Sequence, residues 1–381
     1  MLQSHDSPNL DLLRSVAVLA VLADHIAGTF GIAQRHPFFW ALGRWGVLLF
    51  FVHTSLVLMM SMGRLGLSGR KLHVTFFIRR FFRIYPLSIV VVGVVLIAHI
   101  PPTSWSEGFV HPDLGTIFSN FLLCQNLILK DSLIGPLWSL PYEVQMYLLL
   151  PALFIFVRKT TTGPLVGLWL SSVGLGLAQS WLAATNHGRR LHLDILGIAQ
   201  FVPCFLVGVI AYHLLRQRQK RWLPFWIWVS TLCIAGVAYL RWNASAGYVG
   251  YPEWVCCLPI GLVVVYCAES RHRWFNFLTH HLARYSYGLY LGQVPVLWLV
   301  FVKLKYLPLA VQWPLFLFLI VAVPVASYHL IEHPFVKLGA SITARELTVR
   351  KVDKSTSGSS KVARLPLPPS EGERRGLAEG L

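Results

Sequence analysis

The sequence has little charge and few acidic residues. Of its 381 residues, 13% are charged, and only 16 are Asp or Glu. A soluble domain usually carries about 25% charged residues, so this deficit argues against a water-soluble fold. Hydrophobic residues make up 55% of the chain, and the mean hydropathy is +0.59. The composition therefore predicts a protein whose main solvent is lipid.

The spacing that marks a metal site is also missing. The six cysteines lie in apolar segments, and no His or Cys cluster has ligand spacing, so we expect small buried hydrophobes and no metal. The net charge of +17 would suggest nucleic acid in a soluble protein. Here the basic residues lie in short loops between apolar runs. That placement indicates membrane topology and contact with membrane lipids, and no nucleic-acid partner.

Long apolar runs are abundant. A membrane-spanning helix needs about 20 mostly apolar residues. Ten candidate segments are 10–30, 44–62, 84–101, 137–157, 165–184, 195–215, 223–240, 254–268, 284–304 and 312–333. A shorter apolar segment, 116–129, is expected to be a re-entrant or interfacial piece. The sequence therefore predicts an all-α fold, a polytopic bundle of about ten transmembrane helices.

Lys and Arg residues are unevenly divided between the two sides of such a bundle. With a cytoplasmic N-terminus, the inside segments hold 24 of them and the outside loops hold 8. Positive residues accumulate in cytoplasmic loops, so both termini are predicted to be cytoplasmic. Residues 1–338 are predicted to form one membrane-embedded domain. Residues 339–381, which end in a stretch rich in Ser, Gly, Pro and charge, are predicted to be a disordered cytoplasmic tail.

The first span carries two ionisable residues on one face, and such residues are functional candidates. Arg14 and His25 are eleven residues apart, which is three helical turns plus about 20°. The helical rise separates them by about 16 Å, with Arg14 near the cytoplasmic end. Asp24 points in a different direction from its neighbour His25, so it is not expected to orient the imidazole. The alternative for His25 is a hydrogen-bonded core residue.

The fourth span supplies a carboxylate at a similar depth. Glu143 lies six residues into the span, about 9 Å below its outer edge, and His25 is similarly close to its own outer end. A His–Glu dyad would suit general base catalysis, because the carboxylate orients the imidazole and stabilises its charged form. The alternative is that Glu143 supports helix packing through Trp138 or Tyr142.

A basic run lies at the predicted cytoplasmic face before the third span. It contains Arg79, Arg80 and Arg83, interleaved with Phe. A helix here would place Phe in the interface and offer Arg to phosphates, and anionic lipid is the alternative partner. Glu332, at the cytoplasmic end of the tenth span, is expected either to pair with one of these arginines or to act in catalysis.

Six blocks in order, over roughly 10–338, resemble those of the acyltransferase-3 family of membrane acyltransferases, which includes bacterial polysaccharide O-acetyltransferases. The blocks are Leu10-Asp11-x-Leu13-Arg14 followed by His25, Phe50-Phe51-Val52, Arg79-Arg80-x-x-Arg83-Ile84-Tyr85-Pro86, Leu137-Trp138-Ser139-Leu140-x-x-Glu143-x-Gln145-x-Tyr147, Ser286-Tyr287-x-Leu289-Tyr290-Leu291 and Ser327-Tyr328-x-Leu330-Ile331-Glu332-x-Pro334.

The resemblance implies a multi-pass enzyme of a bacterial-type inner membrane. It implies acyl-CoA as a cytoplasmic co-substrate, with no bound cofactor, acetyl as the acyl group, and a carbohydrate hydroxyl as acceptor. By resemblance, Arg14, Arg80 and Arg83 would bind the donor. His25 would activate the acceptor hydroxyl or briefly carry the acyl group, with Glu143 assisting. Residues expected to support the site are Asp11, Arg79, Trp138, Tyr328 and Glu332.

Two departures from the family pattern stand out. His53-Thr54-Ser55 replaces the usual Leu-Ser-Gly continuation of the second span, and Gln293 stands where a His is common. Gln hydrogen-bonds, so a binding role is retained better than proton transfer. Two other classes of function are consistent with the spans. One is a transporter or flippase for a lipid-linked glycan, although no internal repeat supports it; the other is an inactive relative that acts as a scaffold.

Overall fold

The computed structural model describes residues 7–106, 108–185, 193–217, 221–246 and 253–344. The regular elements in these ranges are helices, which satisfy their backbone hydrogen bonds within one segment as a bilayer requires. The α-helices are α1 Pro8–Thr29, α2 Ile32–Arg35, α3 Pro37–Leu65, α4 Gly69–Ala98, α5 Leu114–Leu122, α6 Leu140–Lys159, α7 Thr162–Ala184, α8 Ile198–Arg216, α9 Phe225–Ala246, α10 Trp254–Val264, α11 Arg273–Leu297 and α12 Leu309–Ser327. The predicted all-α polytopic bundle is confirmed.

Eight helical stretches in the described residues are long and apolar enough to cross a membrane. They are Phe38–Leu65, Gly69–Ala98, Gly135–Lys159, Thr162–Ala184, Ile195–Arg216, Phe225–Asn243, Arg273–Lys303 and Leu309–Ala344. Two of the ten predicted spans lie outside this set. The first, α1, has 22 residues but carries four ionisable side chains, Asp11, Arg14, Asp24 and His25. The other, α10, has 11 residues and is shorter than a typical span.

Several helices begin earlier than their apolar runs. The third span was predicted over 84–101, but α4 begins at Gly69, so the basic run lies inside the helix. The ninth span was predicted over 284–304, whereas α11 begins at Arg273 and continues as a π-helical segment, Trp298–Lys303. Hydropathy marks only the apolar part of a helix. Polar residues in these added parts, Arg80, Arg83 and His280, line a cavity inside the bundle, as described below.

The segment 116–129 does not span the bundle. It forms α5 and the short 3₁₀ helix Gln125–Ile128. Asp113 caps α5, and Nζ of Lys130 lies 2.6 Å from its Oδ2. These hydrogen bonds, the one from Lys130 first, lower the pKa of Asp113 to about 2. The segment is therefore a compact element held to its own loop.

The helix α1 lies inside the bundle. It packs chiefly between α3 and α11, and α3 packs in turn on α8. By contrast, α7 and α12 expose large apolar side chains, including Leu175, Trp181, Leu317 and Phe318, as expected of helices that face lipid. The position of α1 keeps its ionisable residues within protein and away from lipid.

The C-terminal helical stretch extends past the predicted domain boundary at 338. After α12 comes a π-helical turn, Tyr328–Glu332, and helical residues continue to Ala344. Thr343 is buried, and its Oγ1 accepts a hydrogen bond of 3.0 Å from Nε of Arg79. The rest of the predicted tail, 345–381, lies outside the described residues.

Candidate active site

Three cavities follow one another along α1 in the described part of the chain. The arginine cavity, about 450 Å³, lies at the end where α1 begins. The central cavity is about 90 Å³. The His25 cavity, about 350 Å³, lies toward the end of α1. The arginine and central cavities share Arg14, His53, Val57, Arg80 and Arg83, whereas the central and His25 cavities share Tyr290.

The arginine cavity is strongly basic. The arginines in its lining are Arg14, Arg64, Arg80, Arg83 and Arg284. Among the described residues that line this cavity, Asp11 is the one with a carboxylate. Its Oδ2 lies 3.0 Å from Nδ1 of His280. The excess of guanidinium groups suits an anionic ligand, because their planar forks match phosphate oxygens. Two of these arginines, Arg64 and Arg284, lie outside the blocks that suggested the site.

The three residues predicted to bind the donor are brought together here. Nε of Arg14 donates a 2.6 Å hydrogen bond to Oγ of Ser286. Arg83 forms an ion pair with Glu332, so the predicted salt bridge between Glu332 and the basic run is confirmed. Arg80 lies in the same lining, beside the hydroxyl of Tyr147.

Two of the residues expected to support the site have different surroundings. Arg79 points away from these cavities and donates to Thr343 of the C-terminal helical stretch. Tyr328 lines the arginine cavity, with its ring stacked on His333 at a centroid distance of 5.6 Å. Arg79 therefore ties α4 to the end of the bundle, while Tyr328 belongs to the cavity wall.

His25 is buried, and its orientation is set by its own helix. Nδ1 lies 2.9 Å from the carbonyl oxygen of Val21, one turn earlier. A carbonyl only accepts, so Nδ1 carries the proton and Nε2 of the neutral imidazole carries the lone pair. A Cβ placed on Gly135 would lie 3.2 Å from Nε2, and Gly135 lines the His25 cavity. The free nitrogen of the ring therefore faces this cavity.

The predicted His25–Glu143 dyad is not formed. Glu143 lines the central cavity, where its Oε1 accepts a 2.5 Å hydrogen bond from the hydroxyl of Tyr147. The matched depths assumed a regular helix from the start of the fourth span. Instead, Gly135–Trp138 forms a 3₁₀ helix, which rises faster per residue, and α6 begins at Leu140. Glu143, in the first turn of α6, lies in the lining of the central cavity together with Arg14, Arg80 and Arg83.

A hydrogen bond at the junction of the two cavities was not predicted. The hydroxyls of Ser139 and Tyr290 are 2.8 Å apart. Ser139 lines the central cavity and Tyr290 lines both cavities. Both residues occur in the quoted blocks, but neither carries a charge, and the site was predicted from charged side chains and histidine.

A partly buried ion pair beside the His25 cavity was also missed. Arg44 of α3 pairs with Glu253, which precedes α10. The guanidinium carbon of Arg44 lies 5.8 Å from the ring centroid of Trp138, one of the predicted supporting residues. Arg44 and Trp138 both line the cavity. The two ends of this pair are far apart in sequence, and no local pattern connects them.

The two departures from the family pattern have different surroundings. His53 is buried and lines the arginine and central cavities, so it faces the donor end. Oγ of Ser55 bonds to the carbonyl of Phe51 and takes no part in a cavity lining. Gln293 is buried and donates a 3.1 Å hydrogen bond to the carbonyl oxygen of Tyr290.

The structure is that of a polytopic membrane protein with an internal site. The site has an arginine-lined cavity toward one end of the bundle and a second cavity, with a buried histidine, toward the other. A family model for an acyltransferase domain, acyltransferase-3, matches residues 7–329. The chain belongs to this family. The resemblance drawn from the six blocks is thereby confirmed.

Two curated bacterial proteins are similar to the chain. It is 33% identical to the acyltransferase MdmB of Streptomyces mycarofaciens, over 55% of this chain and 57% of that protein. It is 26% identical to the peptidoglycan O-acetyltransferase OatA of Listeria monocytogenes, over 76% of this chain and 49% of that protein. The chain thus spans about half the length of these relatives. No solved structure matches it significantly.

Proposed function

We propose that the chain is a membrane O-acyltransferase that moves an acyl group from acyl-CoA to a hydroxyl of a carbohydrate, with acetyl as the preferred acyl group. The observation that carries the proposal is that one helix, α1, places Arg14 in an arginine-lined cavity and His25 in a second cavity. Family membership supports acyl transfer and does not favour the transporter alternative.

The donor binds in the arginine cavity. Acyl-CoA carries several phosphates, and guanidinium groups bind phosphate through paired, charge-assisted hydrogen bonds. Arg80 and Arg83 hold the phosphates together with Arg14, and all three line both the arginine cavity and the central cavity. The excess of Lys and Arg at this end supports a cytoplasmic location for it, because positive residues accumulate on the cytoplasmic side. The protein is then a multi-pass protein of a bacterial-type inner membrane.

The acyl group passes through the central cavity to His25. Arg14 and His25 are about 16 Å apart along α1, so the extended arm of the donor covers this distance beside Tyr290. Nε2 of His25 takes the proton of the acceptor hydroxyl as its oxygen attacks the thioester carbonyl. The carbon–sulfur bond breaks, and the thiolate of CoA takes the proton from the imidazolium. The products are an ester and CoA.

Glu143 and Glu332 act on the donor side. Glu332 fixes Arg83 through their ion pair. Glu143 holds the hydroxyl of Tyr147, which lies beside Arg80. Both carboxylates therefore position arginines and do not touch the imidazole. The group that orients His25 is the carbonyl of Val21.

Purified protein in proteoliposomes with radiolabelled acetyl-CoA tests the proposal. CoA release and acetylated product are counted for the wild type, for His25→Ala and for His73→Ala. His73 is a matched control, because its Nδ1 makes the same bond to the carbonyl one turn earlier, at 3.0 Å, but the residue is only partly buried and lies outside the three cavities. We expect His25→Ala to lower the rate about 10²- to 10⁴-fold and His73→Ala to leave it unchanged.

Other outcomes would point elsewhere. Equal rates in the wild type and His25→Ala would contradict the assigned base. Absence of CoA release together with absence of a CoA-dependent thermal shift would favour the transporter class, with glycan flipping as the next assay. Binding of CoA without any turnover would favour the inactive scaffold.

A further inference from the structure

The His25 cavity has the size and chemistry of a site for a small organic ligand. Its volume, about 350 Å³, falls within the usual range of about 300–1,000 Å³ for ligand sites. Three tryptophans, Trp40, Trp105 and Trp138, contribute to its lining, and the ring centroid of Trp105 is 6.0 Å from that of His25. Tryptophan offers a large apolar face with one polar N–H, which suits a ligand that is apolar on its faces and polar at its edges.

A carboxylate lines the same cavity and is not used by the protein. Asp24 precedes His25 on α1, and no hydrogen bond from the described residues reaches its buried Oδ1. A buried polar atom without a partner is costly, so it normally has a ligand, a water or a protein group beside it. The oxygens of a carboxyl group accept hydrogen bonds, and its protonated form also donates one. A hydroxyl can do both, so it can satisfy this group in either protonation state.

The nearest cation of the lining does not pair with this carboxylate. Arg44 lines the cavity, but it forms its ion pair with Glu253 and lies over the ring of Trp138. An anionic ligand would meet the unpaired charge of Asp24, whereas a neutral polyol would supply the missing donor. The cavity therefore favours a neutral ligand with more than one hydroxyl.

The backbone of α3 holds the carboxylate in place. A Cβ placed on Gly43 would lie 2.3 Å from Oδ2 of Asp24, closer than any two such atoms can approach. Glycine at this position is what allows the carboxylate to lie against α3. Any larger residue at position 43 would displace the end of the Asp24 side chain while keeping its charge.

We propose that the His25 cavity binds one pyranose ring of the acceptor, with Asp24 accepting a hydrogen bond from a hydroxyl other than the one that His25 activates. The tryptophan faces contact the C–H faces of the ring. This inference rests on the proposed function, since it takes His25 as the base. It makes Asp24 the residue that selects a sugar over a simple alcohol.

Acceptor kinetics with defined probes test the inference. The probes are the methyl pyranosides of glucose, galactose and N-acetylglucosamine, the monodeoxy analogues of the best of them, and ethanol as a simple alcohol. In the wild type, one deoxy analogue should have an acceptor KM about 10- to 100-fold higher, the worth of a hydrogen bond to a charged group. In Asp24→Ala and Asp24→Asn the same analogue and its parent should have similar KM values.

Two further variants separate position from charge. Gly43→Ala should raise the acceptor KM as Asp24→Ala does, because it displaces the carboxylate without removing it. Gly93→Ala is the matched control, since a Cβ there meets no atom within 4 Å, and it should leave every constant unchanged. The KM for acetyl-CoA should be the same in all four variants and the wild type.

Three results would overturn the inference. One is an unchanged acceptor KM in the Asp24 variants. A second is a rise in the KM for acetyl-CoA of the same size, which would place Asp24 with the donor. The third is equal use of ethanol and the pyranosides. Failure of the proposed function is distinguishable, because it appears as CoA release that does not depend on His25. In that case a change of tryptophan fluorescence on adding the pyranosides without donor tests the cavity alone. No change would reject the binding of a pyranose in this cavity.

Discussion

Nδ1 of His25 lies 2.9 Å from the carbonyl oxygen of Val21, and this contact fixes which ring nitrogen is free. Nε2 then faces the cavity beside Gly135, without a carboxylate behind the ring. In many hydrolases an acid orients the catalytic His. Here a backbone carbonyl of the same helix orients the imidazole. The orientation of the ring therefore depends on the regular helical geometry of α1.

Substitution of Gly135 by Ala should impair the transfer step. The new Cβ would lie 3.2 Å from Nε2 of His25, so the ring or the loop must shift by a few tenths of an ångström. Small displacements of a base are costly, and we expect kcat to fall about tenfold with little change in the KM for the donor. The measurement is steady-state CoA release. Gly163→Ala, where a Cβ meets open space, is the control, and equal losses in both variants would count against this geometry.

Loss of Arg80 or Arg83 should weaken donor binding. Each charge-assisted hydrogen bond to phosphate contributes about 1.5–3 kcal/mol, so Arg80→Gln and Arg83→Gln should each raise the KM for acetyl-CoA about 10- to 100-fold. Arg79→Gln is the matched control from the same run, because Arg79 bonds to Thr343 outside the cavity. A comparable rise in KM for Arg79→Gln would show that the whole run acts only through general positive charge.

Removing one partner of the Arg83–Glu332 ion pair should lower the stability more than replacing both partners by apolar residues. The carboxylate of Glu332 is fully buried, so Glu332→Gln leaves a charged Arg83 without its partner and should cost about 3–5 kcal/mol of stability. The double variant Arg83→Met, Glu332→Leu removes both charges and should lose less. Thermal unfolding in detergent measures the order. A double variant less stable than the single one would mean that the pair itself contributes the stability.

Tyr290 should keep water out of the path between the two cavities. Tyr290→Ala removes the ring that lines both of them, so acetyl-CoA hydrolysis without acceptor should rise relative to product formation. Tyr290→Phe keeps the ring and loses only the hydrogen bond to Ser139, so it should stay close to the wild-type ratio. The ratio of CoA released to ester formed is the measurement, and an unchanged ratio in Tyr290→Ala would rule out this role.

The sequence predicted the features that depend on one helix at a time. The placement of Arg14 and His25 follows from the fixed rise and turn of α1, and the basic run marks the end of the bundle that holds the arginine cavity. Both came from ionisable residues in apolar surroundings, which are rare enough to stand out. The all-helical fold followed from the long apolar runs, each of which is about the length of one membrane-spanning helix.

Features that depend on the register between helices were not predictable. The 3₁₀ helix at Gly135–Trp138 has no hydropathy signal, and neither does the rotation of α6, which places Glu143 in the lining of the central cavity and away from His25. The pair of Arg44 with Glu253 joins segments far apart in sequence, and only the packing of α3 against α10 brings them together. Local patterns carry no information on such contacts.

The small central cavity has a consequence for the cell that carries this protein. A passage of about 90 Å³, bounded at the Ser139–Tyr290 hydrogen bond, holds only a few water molecules between the two larger cavities. Under the proposed function, transfer of an acyl group therefore does not need a continuous, wide, water-filled pore between the two larger cavities. Only the arm of the donor and its acyl group have to enter the narrow section.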